Sequence, residues 1–252
     1  MDGENIQTYE KAGKSVAKVK LVLRKISEID SDVFEVVSSR GLTNTASALE
    51  VPDYEEFLKR EIKELKDYNI FGVFSNWKNK FLVIAKTQDK KYKLVKIDIF
   101  KRKIEFETEL DLNFDVLEGA RFGYESVVVY NRREFFIVSN NGRILEHGVI
   151  KEDDIRIEDV VYIENSGKLL LICKKELSSS DCVFGNKILI VYYYDRKTKE
   201  YIPIIDIGEI CNDIFVEKAK YDALDDKLYI LYRCRLYRPY KVKYKIAVFD
   251  VA

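Results

Sequence analysis

The chain has one histidine, one methionine, one tryptophan, three prolines and only two glutamines among 252 residues. With one histidine, the common hydrolase and transferase designs have little to work with. His147 sits in a strand-like run with no Cys or Ser motif beside it, and no catalytic role is expected of it. The eleven glycines never fall within two residues of each other, which excludes the usual phosphate-cradling loop. Cys173, Cys182, Cys211 and Cys234 form no Cys-x-x-Cys pair, so a structural zinc site is not expected. They read as buried or free thiols, with a disulfide expected only if the source is a hyperthermophile. No apolar run reaches the length of a membrane span, and the stretch MDGENIQTYEKAG has no apolar segment fit for a signal peptide. The expectation is an intracellular, cytoplasmic protein with no membrane partner, no metal and no cofactor.

What is abundant is charge, and it cancels. Forty-three basic and 43 acidic residues leave no net charge, so no whole-molecule field draws the chain to nucleic acid. Charged residues at 34 %, with many Ile, Lys, Glu and Tyr, resemble the composition of proteins from hot environments.

Residues 1–14 are polar and without period, and are expected to fray. Residues 15–69 read as a strand followed by a helical segment. Val19, Leu21 and Leu23 alternate with Lys18, Lys20 and Arg24, which predicts a strand over Ser15–Ile26. A helix is predicted over Asp32–Ser39, stopped by Gly41, then a short one over Ala46–Val51. A long helix over Asp53–Tyr68 carries Phe57, Leu58, Ile62 and Leu65 as its apolar stripe.

From residue 70 to 252 the helical period vanishes and a β-repeat takes over. Phe81–Ile84, Phe135–Val138, Leu169–Ile172 and Leu228–Leu231 are each apolar throughout and each follow a turn rich in Asn, Gly or Asp, as strands inside a sheet do. Their starts lie 54, 34 and 59 residues apart. Asp98, Asp195 and Asp250 stand near the exits of third strands, where a carboxylate can bond the backbone of the next turn. The fourth repeat ends after its third strand, and Val16–Ile26 is the run that could complete it.

This pattern resembles β-propeller blades over about residues 70–252, without a Trp-Asp repeat, a Kelch Gly-Gly pair or a sialidase-type Asp box. The resemblance implies a mainly β fold of four propeller-like antiparallel sheets behind an N-terminal helical segment. A second resemblance covers about residues 29–86: helix, Gly41, short Ala-rich helix, long helix, then a hairpin over Phe71–Ala85 is similar to the winged helix-turn-helix family. It implies an alternative fold, a winged helix domain followed by a β-sandwich or barrel. It also implies an alternative function, a nucleic-acid-binding regulator that presents Lys59, Arg60 and Lys63. Asp53–Asp67 holds six acids against four bases, which weighs against entry into a phosphate-lined groove.

The most distinctive local feature is Tyr232–Lys245, which has no acid. Its Arg233, Arg235, Arg238, Lys241 and Lys243 interleave with Tyr237 and Tyr240, residue types that bind a protein partner or a polyanion. In a propeller this loop shares a face with the links between repeats, and those links are acidic: Asp153, Asp154, Glu158 and Asp159, then Asp206, Glu209 and Asp213. A face of both charges suits a partner of matching pattern better than a general polyanion. The paired acids Asp153-Asp154 and Asp225-Asp226 fall in predicted turns, where Asp is common for local reasons. The expected function is non-enzymatic: a protein-binding scaffold, or a self-associating one, acting through this loop.

Overall fold

The computed structural model of the chain describes residues 20–31, 33, 51–76, 80–112, 116–122, 126–163, 168–177, 185–237 and 239–252. The protein is mainly β, with four four-stranded antiparallel sheets in a propeller-like pattern. The first sheet runs β2 (Asn69–Asn76), β3 (Lys80–Lys86), β4 (Tyr92–Asp98), β5 (Lys103–Leu110). The second is β6 (Gly119–Phe122), β7 (Ser126–Tyr130), β8 (Glu134–Ser139), β9 (Ile144–Val149). The third is β10 (Ile155–Ile163), β11 (Lys168–Leu177), β12 (Asn186–Asp195), β13 (Glu200–Asp206). The fourth joins the two ends of the chain in the order β1 (Leu21–Ile29), β16 (Tyr240–Val251), β15 (Lys227–Tyr237), β14 (Asp213–Asp222).

The N-terminal strand completes the fourth sheet, and residues 20–26 of the run expected to do so are in place. Leu21 pairs with Val251 and Ile29 with Tyr244, while Lys20 and Ala252 exchange two backbone hydrogen bonds of 2.9 Å. Within the fourth sheet this covers the edge of β16 up to Tyr244, which otherwise would invite another chain. The predicted helix over Asp32–Ser39 lies outside the described residues except for Val33, the short helix over Ala46–Val51 except for Val51, which opens the helix over Val51–Glu61, and residues 1–14 lie outside them altogether.

Local chemistry closes the turns. The Asp98 carboxylate accepts the Lys101 amide at 3.0 Å, Asp195 accepts that of Lys197 at 2.8 Å, and Asp222 accepts that of Leu224 at 2.9 Å. Asp250 behaves differently from its expected role. Its carboxylate receives Arg24 across the β1–β16 pair.

The sheets fall into two compact units, one built on β1 and sheets three and four, the other on the helix and sheets one and two. In the second unit α1 spans Val51–Glu61 and Pro52 stands in its first turn, where a missing N–H costs nothing. Ile62 leaves the helix (φ −120°, ψ 97°) and a 3₁₀ turn over Lys63–Leu65 follows, so the long helix expected to Tyr68 is two shorter pieces. Leu58, Ile62 and Leu65 are fully buried against Val73, Val83, Val95 and Ile97. The winged helix resemblance finds no support: its wing is β2 and β3, bonded on into β4 and β5. Its recognition helix spends its apolar stripe on the first sheet. No helix among the described residues is long and apolar enough to cross a membrane.

The second repeat is out of phase with its sequence reading. Phe135–Val138 lies in the third strand of its sheet because β6, GARF, precedes it. The second strands β3, β7, β11 and β15 start at 80, 126, 168 and 227, steps of 46, 42 and 59. A Cβ on Gly119 would sit 2.5 Å from the Tyr130 hydroxyl, so the strand position belongs to glycine because an aromatic ring lies over it.

In the first unit the third and fourth sheets face each other through Leu170, Ile172, Leu189, Ile230, Tyr232, Cys234 and Phe249. The thiol reading is corrected for two cysteines: Cys211 and Cys234 form a disulfide, their Cα atoms 5.6 Å apart. The β-bridge between Lys187 and Cys211 holds the link before β14 against β12, and there the Cys211 side chain meets β15. Cys173 is a free, buried thiol, pushed well above its ordinary pKa by desolvation and then by the charges of Glu158 and Glu152. Cys182 lies outside the described residues.

Candidate functional site

Tyr232–Lys245 is not a loop but the end of a β-hairpin. β15 and β16 pair from Lys227↔Asp250 out to Tyr237↔Tyr240, whereas the β14 register ends at Asp213↔Arg235 and the β1 register at Ile29↔Tyr244. The hairpin therefore runs past both its neighbours. Strand alternation sends Tyr232, Cys234 and Leu236 into the core and leaves Arg233, Arg235 and Tyr237 together on the opposite face. Arg238 lies outside the described residues. Tyr240 is 68 % exposed.

One face of β14 meets these arginines. Phe215 pairs with Arg233, and its ring has the Arg235 guanidinium 5.1 Å from its centroid, Arg233 at 5.4 Å and the Lys174 ammonium at 5.4 Å. Three cations around one ring gain from its quadrupole but repel each other, so the acids around them matter. Lys174 lies 2.9 Å from Glu158 and donates to the Ile214 carbonyl at 3.2 Å. Lys187 bonds Asp213 at 3.0 Å. Burial alone would raise the Asp213 carboxyl, but the Lys187 hydrogen bond, the charges of Lys174 and Lys187 and the Ile214 amide hold it below the usual carboxylate range. Arg233 is paired with Glu217.

The acidic link 206–213 lies against the hairpin. Glu209 accepts Lys245 at 2.6 Å, stands 3.8 Å from Lys243 and receives the Tyr232 hydroxyl at 3.4 Å. Asn212 laces the hairpin end from the other side: its amide donates to the Arg235 carbonyl and its side chain accepts the Tyr237 amide, both at 2.9 Å. Of the expected contact residues, then, Arg233 and Lys243 face acids of their own chain, and Lys241 has Glu28 at 3.6 Å. Arg235 has the Tyr237 side chain and the Phe215 ring, and among the described residues no carboxylate within salt-bridge distance.

The other expected positions are dispersed. Lys59 pairs with Glu55 at 2.7 Å, and Arg60 lies over the Phe57 ring and beside Glu61. Lys63 opens the 3₁₀ turn. His147 stacks on Phe136 at 4.1 Å with Glu134 at 2.8 Å. Asp226 accepts the Tyr221 hydroxyl at 2.5 Å, and Asp154 faces Lys175 at 3.8 Å. Among the described residues the side chains that could jointly hold an ion are Glu209, Cys211 and Cys234, and the two sulfurs are already joined.

Phe215, Lys174 and Asp159 are absent from the sequence reading of the site or misread in it. Asp159 is 2 % exposed, and its carboxylate accepts the Val160 amide at 2.7 Å and the Ala219 amide at 2.8 Å, tying β10 to β14. Its place in an acidic link hides that role; a carboxylate beside the apolar Val160-Val161 is the one signal that could betray it.

No family model and no curated protein matches the chain. Among solved structures it is similar to a protein of unknown function from Bacteroides caccae, at 10 % identity and a TM-score of 0.43, over 65 % of this chain and 56 % of that one. It is also similar to the Neurospora crassa Pan2 WD40 domain, at 11 % identity and a TM-score of 0.36, over 69 % and 60 %. The WD40 domain of SCAP from fission yeast matches at 8 % identity and a TM-score of 0.30, over 95 % and 57 %. The chain spans less than two thirds of the length of each.

Proposed function

We propose that this protein is a non-enzymatic binding platform that engages a protein partner through the end of the β15–β16 hairpin, with Arg235, Tyr237, Tyr240 and Lys241 as the contact residues. The observation that carries the reading is Arg235: it stands beside the exposed Tyr240 strand end, and among the described residues it is the cation of the ring cluster with no carboxylate within salt-bridge distance, Asp213 reaching it only through its charge. Tyr and Arg on a rigid strand end bring large contact area at low entropic cost, the mixture found at interface hot spots. The neighbouring acids Asp213, Glu217 and Glu209 make the surface a patterned one, which favours a protein of complementary charge over a uniform polyanion.

The test places a photo-crosslinking amino acid at Tyr240 in the full chain and identifies what it captures. Binding of the captured protein is then measured for Tyr240→Ala and Arg235→Ala. The expected result is a loss of about tenfold or more for each, as hot-spot truncations give. Fluorescence anisotropy with duplex and single-stranded probes across a salt series supplies the contrary outcome. Tight binding that weakens steeply with salt and disappears in Arg235→Ala would make the hairpin a nucleic-acid contact instead.

A further inference from the structure

Arg233 and Arg235 share an unusual deficit. The Nε atoms of both are buried and have no hydrogen-bond partner among the described residues, although a buried donor left unmatched is costly. Both guanidinium groups lie over the Phe215 ring, with Cζ 5.4 Å from its centroid for Arg233 and 5.1 Å for Arg235. Resting on the platform reading above, we propose that Arg233 and Arg235, braced by Phe215, form a subsite for carboxylates, taking Asp or Glu side chains from an acidic, extended segment of the partner.

Three features select that ligand. Arginine meets a carboxylate with two parallel N–H···O bonds, and the side-on form uses Nε, the atom left unmatched here. Arg233 and Arg235 are alternate residues of one strand, so their Cα atoms are about 6.6 Å apart, the same step that separates alternate side chains of an extended peptide. The charge balance then sets the valence. The four cations Lys174, Lys187, Arg233 and Arg235 stand among four acids, Glu158, Glu176, Asp213 and Glu217, with Asp213 also acting on Arg235 through its charge. With no charge in surplus, the site suits a ligand of one negative charge on an arginine fork. A phosphate monoester carries nearly two at neutral pH and would stand beside Asp213 and Glu217. A carboxylate that takes the Arg235 Nε competes with what holds that side chain: the cation–π contact, the Tyr237 hydrogen bond and the charge of Asp213.

The experiment follows the arginine Nε–H resonances of the ¹⁵N-labelled full chain at low temperature. The probes are a blocked octapeptide with Glu at alternate positions, its Gln counterpart and its phosphoserine counterpart. The Glu peptide is expected to shift the Arg233 and Arg235 signals, and to bind about tenfold more weakly to Arg235→Lys, which keeps the charge but loses the fork. Signals that stay in place at millimolar Glu peptide, equal binding of the Gln peptide, tighter binding of the phosphoserine peptide, or an unchanged affinity in Arg235→Lys each overturn the subsite. Arg235→Lys also guards against misfolding, since its amide spectrum reports the fold directly. The two readings fail separately. A Glu peptide that does not bind, with capture at Tyr240 intact, sinks the subsite alone; capture that ignores Tyr240, with Glu-peptide shifts intact, sinks the platform's contact surface alone.

Discussion

Tyr221 shows how one side chain reports on a turn. Its hydroxyl donates to Asp226, a residue held at φ 50° in the β14–β15 turn. Burial first, then that hydrogen bond and the charges of Asp226 and Asp222, push its pKa up to about 12. A phenol whose folded value lies above its unfolded value contributes stability that is fully present below pH ~10, near its unfolded pKa, and is lost as pH rises through the folded value. The expected outcome is a stability decline between about pH 10 and pH 12 that is smaller in Tyr221→Phe, measured by urea unfolding at each pH. Identical alkaline limbs for the two proteins would place Tyr221 outside the turn's hydrogen bonding. At the same scale, the ring cluster shows why Phe215 and Lys174 escape a reading of the sequence. Neither lies in the basic stretch, and both reach Arg233 and Arg235 only because β14 pairs with β15 and β11 packs beside it.

Elements differ in how plainly they announce themselves. Leu169–Cys173 and Phe81–Ile84 read as inner strands because a strand covered on both faces is apolar at every position, and both are inner strands. Gly119–Phe122 announces nothing, since its glycine is explained by Tyr130 from the neighbouring strand. The stripe Leu58, Ile62, Leu65 correctly marks a buried helical face but not its partner, and the sheet it covers follows it directly in the chain. Leu58→Ala should cost about 2–5 kcal/mol in denaturant unfolding, the range for emptying a fully buried leucine site. A change under about 1 kcal/mol would mean that α1 does not pack on the first sheet. The cysteine spacing held no clue to the bond between Cys211 and Cys234, because the partner of Cys211 is set by a β-bridge and not by sequence distance. That bond closes a loop of sequence separation 23, for which chain entropy predicts about 3 kcal/mol. Reduction, or joint replacement of both by Ser, should lower stability by about that amount; equal midpoints with and without reductant would contradict it.

At the scale of the whole molecule, each compact unit has its own core, and the two do different things with their surfaces. In the helix unit the outer strand β5 ties its acids down at home: Glu105 to Lys80, Glu109 to Lys91, and Glu107 to both Lys93 and Tyr68. In the unit of the third and fourth sheets, the hairpin end carries Tyr237 and Tyr240 past the neighbouring strands, with Arg235 at the last β14 pair, and is pinned by the disulfide, by Asn212 and by Glu209. A rigid strand end held on one side and open at its tip is the physical basis for reading this protein as a binding platform. Amide hydrogen exchange of the full chain, alone and saturated with the protein captured at Tyr240, tests that claim most directly. The account predicts new protection concentrated at residues 235–243 with α1 unchanged. Protection confined to residues 51–66, or none at the hairpin end, would contradict it.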